Sequence, residues 1–212
     1  MKKSQTEEKL LETTLRLISE KGYLGTTTRE IAREAGVTEL TLFRHFGSKE
    51  KLFEKVLKRY TFLPKLKEIL PELERLPYDD VLRILGIGFF ETLKERKSLV
   101  KIMLSEINIY PDKIRIIYNG FIDELIKTLA DYLSFLQKRD ILRPFSPGIA
   151  TRAFLGMIFS YFMAEEIMGG RIISKRKIEK IIGEFVNITI HGTLKKSTLK
   201  VTEADNECNS NL

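Results

Sequence analysis

Cysteine is nearly absent from this sequence: one residue, Cys208, stands in a polar stretch close to the end. An intramolecular disulfide is therefore excluded, which suits a reducing compartment. Histidine is almost as scarce. His45 and His191, with one cysteine, are too few for a structural zinc site. Long apolar runs are missing, and the densest, Ala153 to Met163, is too short to span a bilayer. The opening Met1-Lys2-Lys3-Ser4-Gln5-Thr6-Glu7-Glu8 has no apolar signal core. Together these absences predict a soluble, cytoplasmic protein without membrane contact. There is also no glycine-rich phosphate loop and no Ser or Cys nucleophile with a matched His. No catalytic residue, metal or cofactor is expected. Period-2 alternation between hairpin turns, internal repeats and low-complexity segments are likewise not found.

What remains is an ordinary globular balance, 43% hydrophobic and 31% charged, over 212 residues. The net charge is +7, and residues 1–60 carry 13 Lys/Arg against 9 Asp/Glu, so more than half of the excess lies there. A basic N-terminal part fits a polyanionic partner, although charge alone identifies none.

Nearly every segment has helical periodicity, which predicts an all-α fold. The expected helices are Ser4–Lys21, Thr28–Ala35, Thr38–Phe46, Ser48 to Tyr60 or Leu63, Tyr78–Glu95, Ser98–Ile107, Pro111–Gln137, Pro147–Met168 and Ser174–Thr193. Gly22 and Gly36 act as stops, and Thr38 and Ser48 as N-caps. Pro64, Pro71 and Pro77 punctuate the middle, with Pro64 read as a kink in the fourth helix. The implied division is a helix-turn-helix domain over 1–47, a connecting helix over 48–63, a helical domain over 64–194 and a polar tail over 195–212.

The most informative stretch is 26–49. Two short helices meet across Ala35-Gly36-Val37, where Gly36 permits a left-handed backbone. Ile31, Ala32, Ala35, Val37, Leu42 and Phe46 form a small core that fixes the crossing angle. Glu39, Leu40, Thr41, Arg44 and His45 are left on the outer side of the second helix. A helix presented in this way fits a DNA major groove.

Four strings follow one another here: Thr27-Thr-Arg-Glu-Ile-Ala32, Ala35-Gly-Val-Thr38, Thr41-Leu-Phe-Arg-His-Phe46 and Ser48-Lys-Glu-Lys-Leu-Phe53. In this order they resemble the TetR family of transcriptional repressors, over a stretch reaching about Tyr60. The resemblance implies that Thr28 and Arg29 touch phosphates or a neighbouring base. It sets Thr38, Glu39, Leu40 and Thr41 against base edges and Arg44 against a base or phosphate. His45 and Lys49 would hold the DNA backbone on either side. Where the family commonly has Tyr, this chain has Phe43, which lacks a hydroxyl and is read as a structural support. Glu39 suits a cytosine amine and so serves specificity rather than affinity.

Farther along, Phe89, Phe90, Met103, Ile107, Tyr110, Ile117, Phe121, Phe154, Met157 and Tyr161 recur at spacings that make inward helix faces. Core packing accounts for such stripes. The family resemblance implies that some line an effector cavity, with Phe89, Met103, Ile107, Tyr110, Ile117, Phe121, Phe154, Met157 and Tyr161 as the candidates. A lining of that kind favours a hydrophobic or amphipathic small molecule. Glu106, Glu165 and Glu166, the acids near these stripes, are read as a solvated face. In the family the last two helices pair with a second copy, which nominates Phe159, Phe162, Ile178, Ile182 and Phe185 as a homodimer interface. The function implied is a ligand-released repressor of a palindromic double-stranded DNA operator. A helical enzyme and a non-specific architectural DNA binder are the alternatives.

Overall fold

The computed structural model describes residues 3–73, 75–109 and 111–195, with side chains except those of 3–4, 106–109, 111–114 and 116–118. Ten α-helices follow one another among these residues: α1 Lys3–Gly25, α2 Thr28–Glu34, α3 Glu39–Phe46, α4 Lys49–Tyr60, α5 Phe62–Leu73, α6 Tyr78–Glu95, α7 Lys97–Ile109, α8 Pro111–Lys138, α9 Pro147–Phe162 and α10 Lys175–Thr193. The described residues hold no strand, only an isolated antiparallel bridge between Leu142 and Leu194. None of these helices is long and apolar enough to cross a membrane.

Side-chain oxygens start several of the helices. Thr27, Thr38, Ser48 and Ser174 each accept a hydrogen bond from the amide three residues on, satisfying a donor the helix itself leaves unpaired. α1 passes its expected stop: Gly22 breaks the helical dihedrals at φ 77°, ψ 169°, and the chain turns on to Gly25. The reading of Pro64 is corrected. α4 ends at Tyr60, Thr61 is extended, and Pro64 lies in the first turn of a separate helix, α5. A proline is tolerated there because first-turn amides have no partner within the helix. Pro71 lies inside α5.

The chain divides into two compact units that do not follow its order. The first takes residues 1–65 and 92–124, the second residues 66–91 and 125–212. The first unit takes in α7 because α7 packs on α1. Leu99 is buried in the same apolar cluster as Leu10, Ile18, Leu52 and Phe53, with Ile102 and Met103 packed against it.

In the second unit the faces of α6, α8, α9 and α10 close over Leu82, Leu85, Leu129, Leu133, Phe154, Ile158, Ile178 and Ile182. Phe90 and Phe162 meet edge to face, centroids 5.8 Å apart. Tyr78 and Thr193 hydroxyls stand 3.3 Å apart, and burial pushes the phenol up to about 12. α9 runs on into a π-helical segment, Met163–Met168. Glu166, expected on a solvated face, is instead buried there and accepts from the Ile173 amide at 2.9 Å. Glu165 forms a two-pronged pair with Arg171 at 2.8 and 2.9 Å, whose hydrogen bonds hold its carboxyl below the usual range. The Glu106 side chain lies outside the described residues.

Close packing generates a test at Gly86 of α6. A Cβ there would come within 2.8 Å of Ile182 Cγ2 and 3.3 Å of Phe154 Cζ. Overpacking of this kind costs about 1–3 kcal/mol, more than the roughly 1 kcal/mol that alanine gains in a helix. Gly86→Ala is expected to melt a few degrees below the parent by circular dichroism. Gly120→Ala, where a Cβ meets nothing within 4 Å, is expected to melt no lower than the parent.

Candidate nucleic-acid interface

α2 and α3 form a hairpin of helices with a tightly specified turn. Gly36 has φ 67°, and the Val37 amide donates to the Ala32 carbonyl at 2.9 Å across it. Ile31, Ala32, Ala35, Leu42 and Phe46 are buried beneath, and Val37 packs against them half-buried. This is the core expected from the sequence. It consumes the inner face of α3 and leaves one face outward.

That outer face carries Leu40, 60% exposed, and Phe43, 41% exposed, with Arg44 exposed beside them. The support role expected of Phe43 is therefore corrected: Leu42 and Phe46 fill the core, and the Phe43 ring points away from it. Glu39, Thr41 and His45 are half-buried along the edges of the same face.

Polar groups are organised across the two helices. The Thr28 hydroxyl on α2 donates to Glu39 Oε1 on α3 at 2.6 Å. Thr38 Oγ1, already the N-cap of α3, lies 2.9 Å from Thr41 Oγ1. Glu30 bonds the Lys21 ammonium, and that hydrogen bond is the main cause holding its carboxyl below the usual range. Arg29 and Arg44 are exposed and, among the described residues, in no ion pair. A groove of about 720 Å³ runs beside this face, lined by Thr27, Arg29, Glu30, Ala32, Arg33, Val37 and Glu39. Two guanidiniums and a row of hydroxyls at helix N-termini form a surface suited to phosphate oxygens.

Lys49 is held differently from what its expected role suggests. Its ammonium donates to the Tyr23 carbonyl and stands 4.2 Å from the centre of the Tyr23 ring. The start of α4 is thereby tied to the end of α1. Tyr23 was missed by sequence reasoning; an aromatic directly after the Gly22 break was the available signal. The N-cap Thr27 was missed as well, though its spacing to Glu30 was readable. The His45 ring leans on Phe46, centroids 6.0 Å apart.

The candidates farther along separate. Phe89 and Phe154 are buried in the second unit and Phe121 in the first. Met157 and Tyr161 are half-buried, Tyr161 against Phe185 at 6.1 Å. Met103, half-buried, packs against the N-terminal core. Tyr110 and the side chains of Ile107 and Ile117 lie outside the described residues. Of the interface candidates, Phe162, Ile178 and Ile182 are buried within the chain itself, leaving them nothing to offer a second copy; Phe159 and Phe185 are half-buried. No cluster of metal-binding side chains occurs among the described residues.

The chain is similar to known proteins along most of its length. The family model described as bacterial regulatory proteins, tetR family, matches residues 10–56. That of the AefR-like transcriptional repressor C-terminal domain matches residues 80–191, more than half of the chain. The HTH-type transcriptional regulator YvkB of Bacillus subtilis (strain 168) is 30% identical over 187 residues, 88% of this chain and 96% of that protein. Among solved structures, a TetR-family transcriptional regulator from Mesorhizobium loti MAFF303099 aligns with a TM-score of 0.72 at 20% identity, over 92% of this chain and 100% of that one. The flavonoid-responsive regulator FrrA aligns with a TM-score of 0.67 at 23% identity, over 91% and 99%. At such identities the structural likeness speaks for the fold alone.

The inward engagement of Lys49 predicts a stability effect. A hydrogen bond from a charged group contributes about 1.5–3 kcal/mol and a cation over a ring about 0.5–1 kcal/mol. Lys49→Ala is expected to melt about 4–16 °C lower in the absence of DNA. An unchanged melting temperature, together with weakened DNA binding, would instead assign the ammonium to phosphate.

Proposed function

This chain belongs to the TetR family of bacterial regulatory proteins and is a transcriptional regulator, and we propose that it works as a ligand-released repressor binding a palindromic operator as a homodimer. The observation that carries the reading is the outward face of α3, bearing Leu40, Thr41, Phe43 and Arg44, held rigid by the core beneath it. α3 enters the major groove, with Thr38, Glu39, Leu40 and Thr41 nearest the bases. Arg29 of α2 and His45 and Arg44 at the far end grip the phosphates on either side, while the Thr28 hydroxyl holds Glu39 in place. Lys49 acts indirectly, by holding α4 against α1. Repression rather than activation follows the C-terminal family model, whose description is of a repressor.

Dimerisation supplies the second reading head. The outer face of α9 exposes Ile149, Ala153, Gly156 and Ser160 at helical spacing, with Ile149 70% exposed. A Cβ on Gly156 would meet nothing, so a partner helix has room to approach. α10 adds Ile181 and Phe185, half-buried, and Ile188, 59% exposed. These residues, rather than the buried Phe162, Ile178 and Ile182, form the two-fold contact. A self-complementary apolar face pairs naturally about such an axis. Two heads then stand about 34–36 Å apart, or a multiple of this, on successive major grooves.

The effector is an apolar or aromatic small molecule, as the aromatic stripe with Phe89, Phe154, Met157 and Tyr161 suggests; FrrA, similar in fold, is flavonoid-responsive. It releases DNA by binding better to a form in which the two heads do not match the operator.

Selection from a random DNA pool is the direct test. A palindromic consensus is expected, and no enrichment would sink the reading. Thr41→Ala should relax preference at one base pair, at about 1–3 kcal/mol, whereas Arg29→Ala should weaken all sequences alike and lower the salt slope by about one. Ile188→Glu should convert a dimer to a folded monomer in sedimentation and abolish tight operator binding; a dimer unaffected by it would place the contact elsewhere.

A further inference from the structure

We infer that the turn between α9 and α10 is a docking tip for an anionic lipid surface. Met168 and Ile172 enter the bilayer interface, and the cations at the start of α10 hold the headgroups. The contact is peripheral, since none of the described helices is long and apolar enough to cross a membrane. The expectation of no membrane contact rested on spanning segments and a signal core, which a peripheral contact does not need. The inference does not depend on the repressor reading.

Met168 is 81% and Ile172 83% exposed, the two highest values among the large apolar side chains described. The turn that carries them is firmly built. After the π-helical segment the Gly169 amide donates to the Ala164 carbonyl and the Arg171 amide to the Glu165 carbonyl, both at 2.9 Å. Gly170 takes a left-handed φ of 64°. The Ile173 amide donates to the buried Glu166 carboxylate, and the Ile173 side chain is itself buried. A backbone pinned on both sides keeps Met168 and Ile172 turned to solvent. Side chains held outward in advance lose little conformational freedom when a partner covers them.

Charge decides which partner that is. Residues 171–180 hold five cations, Arg171, Lys175, Arg176, Lys177 and Lys180, against Glu179 alone. All five are exposed. Glu165 engages Arg171 and, at 3.8 Å, Lys177. Lys175, Arg176 and Lys180 are in no ion pair among the described residues. The first turn of α10 has no acidic residue, so its cations stand at the positive end of the helix dipole, an unfavourable place for them. An anionic surface offsets that cost. A cation cluster of this size on an amphipathic helix suits anionic headgroups, and the apolar tip beside it supplies the second signal that a stable surface contact needs. A nucleic-acid backbone would satisfy the cations but offer Met168 and Ile172 no apolar partner.

The chain has no tryptophan, so Ile172→Trp places a single reporter at the tip. Its emission is expected to shift to the blue with vesicles of phosphatidylglycerol and phosphatidylcholine, and to stay unchanged with phosphatidylcholine alone. Leu76→Trp, 42% exposed elsewhere in the same unit at the native residue, is expected to stay unchanged with both. In cosedimentation with the anionic vesicles, Met168→Ser with Ile172→Ser should bind about tenfold more weakly than the wild type. Lys175→Gln with Arg176→Gln should bind about twentyfold more weakly, a difference that shrinks at high salt. All four side chains are outside the core, and melting curves check that the variants fold. Failure of the wild-type protein to bind anionic vesicles would overturn the inference, as would undiminished binding by both folded double variants. So would conversion of a dimer to a monomer by Met168→Ser with Ile172→Ser, which would give the tip to a second copy. A blue shift of Ile172→Trp with scrambled duplex DNA would give it to nucleic acid and overturn the inference as well.

Discussion

The outer face of α3 is useful only because its inner face cannot move. Leu42 and Phe46 are clamped against Ile31, Ala32 and Ala35, and the turn at Gly36 is closed by the amide of Val37. A packed core of this size has few alternative arrangements, so the angle between the helices is set by shape rather than by flexible contacts. Reading a base edge demands placement to a fraction of an ångström. The small core supplies that placement, and everything outside it, from the Thr28–Glu39 bond to the exposed Phe43 ring, is positioned by it. Lys49 extends the clamp to α4 by tying its first turn to Tyr23.

Polar pre-organisation then narrows what the face can accept. Glu39 near a polyanion is unfavourable in itself, and one of its oxygens is already bonded to Thr28. This fixes the carboxylate without neutralising it. A fixed charge of the wrong sign rejects many sequences and tolerates few, which is how discrimination is obtained from repulsion. In the proposed complex, exposed Arg29 and Arg44 restore attraction to the phosphates on either side. In the proposed complex, charge attraction and base discrimination are thus assigned to different residues.

Much of this was legible in the residues. Helix starts were readable where a hydroxyl preceded a periodic run, as at Thr38 and Ser48, and Gly36 signalled its turn directly. The outer face of α3 followed from period alone, except at Phe43. The missing hydroxyl suggested support there, while Leu42 and Phe46 already filled the space below. Less legible were features that depend on distant parts of the chain. The break at Thr61 and the start of α5 carry no strong local signal, since Pro64 suits a first turn as well as a kink. Aromatic and aliphatic residues of α9 and α10 look alike in periodicity whether they face their own core or a second copy. Only tertiary packing separates buried Ile182 from exposed Ile188.

The reading head is also less self-contained than its 47-residue motif implies. Leu99, Ile102 and Met103 of α7 belong to the same apolar cluster as α1 and α4. Lys58 on α4 bridges Glu54 at 3.0 Å and Glu124 of α8 at 3.7 Å. Exposed ion pairs such as these contribute little to stability singly, but the apolar contact of α7 is of core quality. A displacement of α7 therefore acts on the packing beneath α1, and through it on the same core that aims α3. The head does not need a single connecting helix as its only lever. Its stability and its aim share one set of buried side chains, so a disturbance that loosens one also alters the other.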